Sequence, residues 1–165
     1  MVKKGCRVAY LFPKGEEGID QTSFVNQLEE LVLGTTGVFE KYSKSRNMNT
    51  IDLVLYMMRI MAASRVNEDI KDHMDKPLIE DIIRNQKKRV VVVFFREGPV
   101  KRPFDSGLKV PEGCEWIEVN TDFINIHILR QTRLTKSAVT RLKEIIGEVC
   151  PHKDVLTSIC FLLMM

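Results

Sequence analysis

The seven residues from Arg89 to Phe95, RVVVVFF, constrain this chain more than any other stretch. Consecutive Val and Phe residues between charged flanks leave no polar side to face water, and β-branched and aromatic residues favour extended backbone. Such a run is a central parallel strand covered on both faces. A strand of that kind needs helices above and below it, so the question for the rest of the chain is whether strands and helices alternate.

They do. Val8, Ala9, Tyr10, Leu11 and Phe12 form a second apolar run that Pro13 and Gly15 break, and Phe24, Val25, Leu28, Leu31 and Val32 then fall at helical spacing. Gly34, Thr35, Thr36 and Gly37 make a turn, and Val38 to Tyr42 is a short strand. Ser43 to Asn49 is polar, basic and without period, which predicts an exposed loop. Ile51 to Ala63 reads either as a strand buried on both faces or as a helix capped at Asn49 or Thr50. The β-branched and aromatic residues in its first half favour a strand over Ile51 to Met57.

Asn67 to Gln86 reads as helix, with an apolar stripe of Ile70, Met74, Leu78, Ile79, Ile82 and Ile83 and a kink or restart at Pro77. Lys87, Lys88 and Arg89 suit its C-terminal end. Arg96 to Gly113, with three Pro and three Gly, is loop. Cys114 to Val119 is a short strand, and Phe123 to Leu129 is an edge strand or an irregular connection. Thr135 caps a helix from Lys136 to Val149, with Val139, Leu142, Ile145, Ile146 and Val149 on one face. Asp154 to Met165 carries Val155, Ile159, Leu162 and Leu163 at helical spacing. The expected fold is α/β, a three-layer sandwich around a mostly parallel sheet, in one domain over residues 1–165. Ligands of such sheets sit at the carboxyl ends of the strands, after Phe12, Met57, Phe95 and Val119.

Composition narrows the function. A hydrophobic share of 44% and a charged share of 28% are ordinary for a soluble globular protein, and 165 residues bury a substantial core without disulfides. A net charge of +3 does not by itself point to nucleic acid and leaves direct contact open. Lys3 and Lys4 precede an apolar run too short for a secretory signal, and the run from Ile159 to Met165 is far below the roughly 20 residues of a membrane span. A cytosolic or nuclear protein is expected. Cys6, Cys114, Cys150 and Cys160 show no C-x-x-C pair, so they are expected to be buried thiols rather than zinc ligands or disulfides. His73, His127 and His152 are isolated, which gives a hydrolase triad no support.

The stretch from Cys6 to Leu31 has the strand-loop-helix layout of a nucleotide-binding unit. Phosphate-binding loops place G-x-x-x-x-G-K-[ST] at that junction, where backbone N–H groups wrap phosphate, the Lys neutralises it and the hydroxyl holds Mg²⁺. In this chain the same frame reads Gly15, four residues, Asp20, Gln21, Thr22. Asp20 puts a Cβ and a negative charge where a second Gly should let phosphate approach. Gln21 replaces the cation. Glu16 and Glu17 add carboxylates, each like-charge pair at 4 Å costing on the order of 1 kcal/mol in water. Two readings fit: a P-loop scaffold that no longer binds nucleotide, or residues that simply cap a helix.

With these elements placed, the chain resembles the small P-loop GTPases. TSFVNQLEEL at 22–31 looks like their first helix, IDLVLYM at 51–57 like their middle strand, and VVVVFFREG at 90–98 like the strand that normally ends in N-K-x-D. That guanine motif is absent, since Phe95, Arg96, Glu97 and Gly98 supply no Asp to grip the base. The D-x-x-G switch motif is absent too, and about 25 residues separate Asn26 from Ile51, too few for two full switches. The resemblance is therefore to a pseudo-GTPase. Within that group it is similar to non-catalytic subunits of the inner kinetochore, over residues 6–22, IDLVLYMMRI at 51–60, RVVVVFF, and the ending EVCPHKDVLTSICFLLMM.

The resemblance implies a rigid adaptor of the constitutive centromere-associated complex: nuclear, without cofactor, metal or catalysis, and docked on a large helical-repeat partner of the centromere protein I type. A fold that keeps its core and drops its ligand is retained for its surface. Candidate surfaces are a basic loop with Lys41, Lys44 and Arg46, a loop with Arg96, Lys101, Arg102 and Phe104, and the apolar C-terminal stripe that includes Leu162, which otherwise packs on the sheet. Competing classes are an atypical P-loop protein in which Arg96 or Lys101 replaces the missing Lys, and a TIR-like or SEFIR-like signalling domain. Nucleic-acid binding through the basic loops is a further class, and would show steep salt dependence.

Overall fold

The strand built on RVVVVFF lies inside the sheet. The computed structural model describes residues 6–13, 21–34, 37–43, 48–60, 66–97, 108–125, 128–134 and 136–150; at residues 48, 96–97, 120–125, 128–134 and 136–139 it describes the backbone alone. In chain order the strands are β1 (Val8–Leu11), β2 (Phe39–Lys41), β3 (Leu53–Ile60), β4 (Arg89–Glu97), β5 (Glu115–Asn125) and β6 (Ile128–Leu134). They make one sheet in the order β2-β1-β3-β4-β5-β6. The first five are parallel, and β6 runs antiparallel to β5. The parallel order 2-1-3-4-5 is the flavodoxin-like doubly wound order, which places the topological switch point between β1 and β3.

Helices α1 (Gln21–Leu33) and α4 (Lys136–Val149) cover one face; α2 (Val66–His73) and α3 (Lys76–Arg84) cover the other. The period of two in the strands sorts their side chains between the layers. Val91, Val93 and Phe95 pack with Leu53, Leu55 and Met57 against Phe24, Val25 and Leu28 of α1 and Leu142, Ile145 and Ile146 of α4. Val90, Val92 and Phe94 pack with Val54, Tyr56 and Met58 against Ile70, Ile79 and Ile82. Each such side chain, taken fully from water, stabilises by about 1.5–3 kcal/mol.

The break between α2 and α3 is a restart rather than a kink. Asp75 caps α3, its side chain accepting from the Leu78 N–H at 3.2 Å, and Pro77 sits in the first turn, where its missing N–H costs nothing. The buried Tyr56 hydroxyl of β3 accepts from the Asp75 N–H at 2.9 Å and ties this junction to the sheet. A second buried polar device fixes β2. Glu29, 1% exposed on α1, accepts from the Val38 N–H at 2.7 Å and the Phe39 N–H at 2.9 Å through one carboxylate oxygen.

Several expectations need correction. Leu31 was expected on the buried stripe of α1, yet it is 43% exposed and Leu33 is buried instead. At about 100° per residue the buried arc runs from Phe24 round to Glu29 and Leu33, because Glu29 turns inward to hold β2, and Leu31 falls just beyond its edge. The stretch expected as strand over Ile51 to Met57 is strand rather than helix, but β3 begins at Leu53 and continues to Ile60. Strand β5 does not stop at Val119. It continues through Asn125 and pairs with β6, a strand whose sequence ILRQTRL carries too little apolar character to announce itself.

Arg96 was placed in a loop and belongs to β4, between Ile60 and Asn120. Lys41, grouped with the basic loop as a candidate surface, ends β2, within the short strand expected over Val38 to Tyr42. The expectation of buried thiols fails for Cys6 and Cys150, which form a disulfide with Cα atoms 5.3 Å apart. The topology brings residues 144 apart in sequence to one edge, a proximity that spacing does not reveal. Cys114 is a free, half-buried thiol. The helix expected over Asp154 to Met165 lies outside the described residues.

Candidate functional site

At the carboxyl end of β1, one flank of the switch point, the structure holds a pocket of about 330 Å³. Its walls are Tyr10, Leu11, Phe12 and Pro13 from β1 and its exit, Gln21 from the first turn of α1, and Lys41 and Tyr42 from β2 and its exit. The chain path is fixed there by backbone pairing, which the Tyr42 N–H continues past the strand end by donating to the Tyr10 carbonyl at 2.8 Å. The Gln86 side-chain amide donates to the Tyr42 hydroxyl at 3.3 Å, anchoring that wall to the end of α3.

Below the pocket is an aromatic cluster. The Phe12 ring stands edge-on to Tyr10, Phe24 and Phe95 with centroids 6.2, 6.3 and 6.1 Å away, and Phe24 and Phe95 lie 4.6 Å apart. Such pairs add about 0.5–1.5 kcal/mol each beyond the area they bury. Burial pushes the Tyr10 phenol above its ordinary range, and the charge of Glu29 adds to the effect. Among the described lining residues Lys41 is the one charged side chain, and it is exposed. No described lining residue is a carboxylate, a histidine or a thiol. The described walls therefore supply aromatic surface, an amide and one cation, with no nucleophile and base in contact.

Of the residues singled out in the sequence, the pocket gathers Gln21 and Lys41. Thr22 follows Gln21 in α1 without lining the pocket. Gly15, Asp20, Lys44, Arg46, Lys101, Arg102, Phe104 and Leu162 lie outside the described residues, and at Arg96 the backbone alone is described. Tyr10, Phe12 and Tyr42 were not foreseen as a lining. Their signal was the apolar strand end itself, which sequence assigns to the core.

The opposite, amino edge of the sheet is charged. Arg7 reaches Glu40 through two nitrogens, Nε donating at 3.0 Å, and also reaches Thr50; the bond to Glu40 raises the Arg7 guanidinium above its ordinary range. Arg141 of α4 grips Glu115 at the start of β5 with two nitrogens, Nη2 at 2.8 Å, while Arg89 reaches both Glu115 and Glu148. The bidentate contact from Arg141 is the first cause holding Glu115 below the usual carboxylate range. Arg89 does the same for Glu148. This network clamps α4 onto the strands. Cys6, Asp52 and Cys150 share the same edge, with donor atoms all within 4.8 Å of one another, but the disulfide leaves no thiolate pair for a metal.

Taken together, the winding and the pocket define a doubly wound α/β domain whose described lining carries no catalytic constellation. No family model matches the chain, and no curated protein and no solved structure matches it either. No helix among the described residues is long and apolar enough to cross a membrane.

Proposed function

We propose that this chain is a non-catalytic, small-GTPase-like scaffold, an adaptor subunit of the inner kinetochore similar to centromere protein M. One observation carries the reading. Gln21, which stands where a P-loop has its Lys, lines the pocket at the end of β1, so the position that should neutralise phosphate presents a neutral amide over aromatic walls. The sequence of the preceding loop, with Glu16, Glu17 and Asp20, adds charge of the wrong sign for a polyanion. What the fold keeps is a rigid sheet with outward-facing elements. Leu31 on α1 and Trp116 on β5, 43% and 36% exposed, are its large exposed apolar side chains among the described residues.

The partner in this reading is a helical-repeat kinetochore subunit of the centromere protein I type. Co-expression with such a subunit followed by size-exclusion chromatography tests it. A stoichiometric complex supports the reading, and separate elution of two folded proteins contradicts it. A second reading, an atypical nucleotide-binding domain, is favoured by the place of the pocket, at the edge where doubly wound sheets bind ligands. Its size falls at the lower end of small-molecule sites. Saturable nucleotide binding that is lost on mutating Lys41 would favour it.

A further inference from the structure

We propose that Cys6 and Cys150 are a reversible redox site, a dithiol that small-molecule disulfides such as oxidised glutathione convert to the bond seen in the structure. Cys6 lies two residues before the start of β1, and Cys150 extends α4, its N–H donating to the Ile146 carbonyl at 2.9 Å. The bond therefore fastens the first strand to the last described helix and closes a loop of 144 residues. Both side chains belong to the main core cluster, Cys6 buried and Cys150 half-buried.

That asymmetry sets the order of events. The more accessible Cys150 thiolate attacks one sulfur of oxidised glutathione, forming a mixed disulfide and expelling one glutathione thiolate. The Cys6 thiolate then attacks the Cys150 sulfur, forming the intramolecular bond and expelling the second glutathione. In total two protein thiols lose two protons and two electrons, and one glutathione disulfide becomes two glutathione thiols. Asp52 borders the pair, its Oδ2 accepting from the Arg7 N–H at 2.9 Å and its own N–H donating to the Arg7 carbonyl at 2.9 Å. A carboxylate held there repels a thiolate, and the disulfide carries no charge to repel. A cross-link over so long a loop restricts the unfolded chain strongly. In a reducing compartment such a bond exists only when the redox poise allows it, so it reports that poise as a change in stability.

The test uses the full chain equilibrated in glutathione buffers from fully reduced to mostly oxidised, then acid-quenched, alkylated and mapped by mass spectrometry, with thermal unfolding measured in parallel. A Cys6–Cys150 linked peptide should appear with increasing oxidation. The unfolding midpoint should rise with it, by on the order of 10 °C. Cys150→Ser should remove both the peptide and the redox dependence of the midpoint, while Cys114→Ser should leave both in place. Alkylation of Cys6 and Cys150 at every glutathione ratio would overturn the proposal. So would a bond that persists in the most reducing buffer, which would make it a fixed structural disulfide.

Discussion

Replacing Glu29 by Ala should be among the most costly changes to a polar side chain in this domain. One carboxylate oxygen accepts both the Val38 and the Phe39 N–H, and the side chain is 1% exposed. Truncation strands two backbone donors. A buried donor left unsatisfied costs about 1–3 kcal/mol, with the upper part of that range applying at Phe39, which is buried, and the lower at Val38, which water can reach. The sum is about 3 kcal/mol, or roughly 6–12 °C in midpoint for a chain of this size. Glu29→Gln keeps an amide oxygen that can accept both bonds and loses only the charge assistance, so about 1 kcal/mol is expected. Urea unfolding followed by the fluorescence of Trp116, the single Trp, measures both variants. The slope should stay unchanged, since the surface exposed on unfolding is the same. The reasoning fails if Glu29→Ala costs less than about 0.5 kcal/mol, or if Gln costs as much as Ala.

Further outcomes follow from other contacts. Tyr56→Phe removes the acceptor of the Asp75 N–H at the α2–α3 junction and should cost about 1–2 kcal/mol in the same assay. Because Arg141 holds Glu115 below the usual range, the stability this contact adds is fully present above about pH 4.3 and disappears as pH falls through the lower value that Glu115 has when folded. The gap in midpoint between wild type and Arg141→Ala should therefore narrow below that pH; a constant gap down to pH 2 would refute the role. Burial pushes the Cys114 thiol up to about 11, so at pH 8 its alkylation by iodoacetamide should be on the order of 100-fold slower than that of a free thiol. Peptide mapping at Cys114 reads that rate, and a rate like that of a free thiol would contradict it.

The elements that sequence revealed are those whose environment is uniform along their length. Val90 to Phe95 is apolar at every position because both faces of β4 are covered, and Lys136 to Val149 repeats its apolar residues at one helical period. Leu31 was misplaced because an inward-turning Glu29 shifts the buried arc, a fact that depends on the later strand β2. Strand β6 was missed because it pairs on one side only and its sequence is mostly polar. The Cys6–Cys150 bond joins residues that only the closed fold brings together. For the pocket, sequence marked Gln21 from its frame against a phosphate loop, and it marked Lys41 by charge. The aromatic wall of Tyr10, Phe12 and Tyr42 was hidden, since a residue at the end of a buried strand looks the same whether it faces core or cavity.

The central claim is that this fold has kept the place of a nucleotide without the means to hold one, and calorimetric titration of the purified chain with GTP, GDP and ATP in Mg²⁺ tests it most directly. The account predicts no binding heat at millimolar nucleotide. A saturable isotherm with micromolar affinity would contradict it and would make Gln21 and the aromatic pocket part of a working nucleotide site.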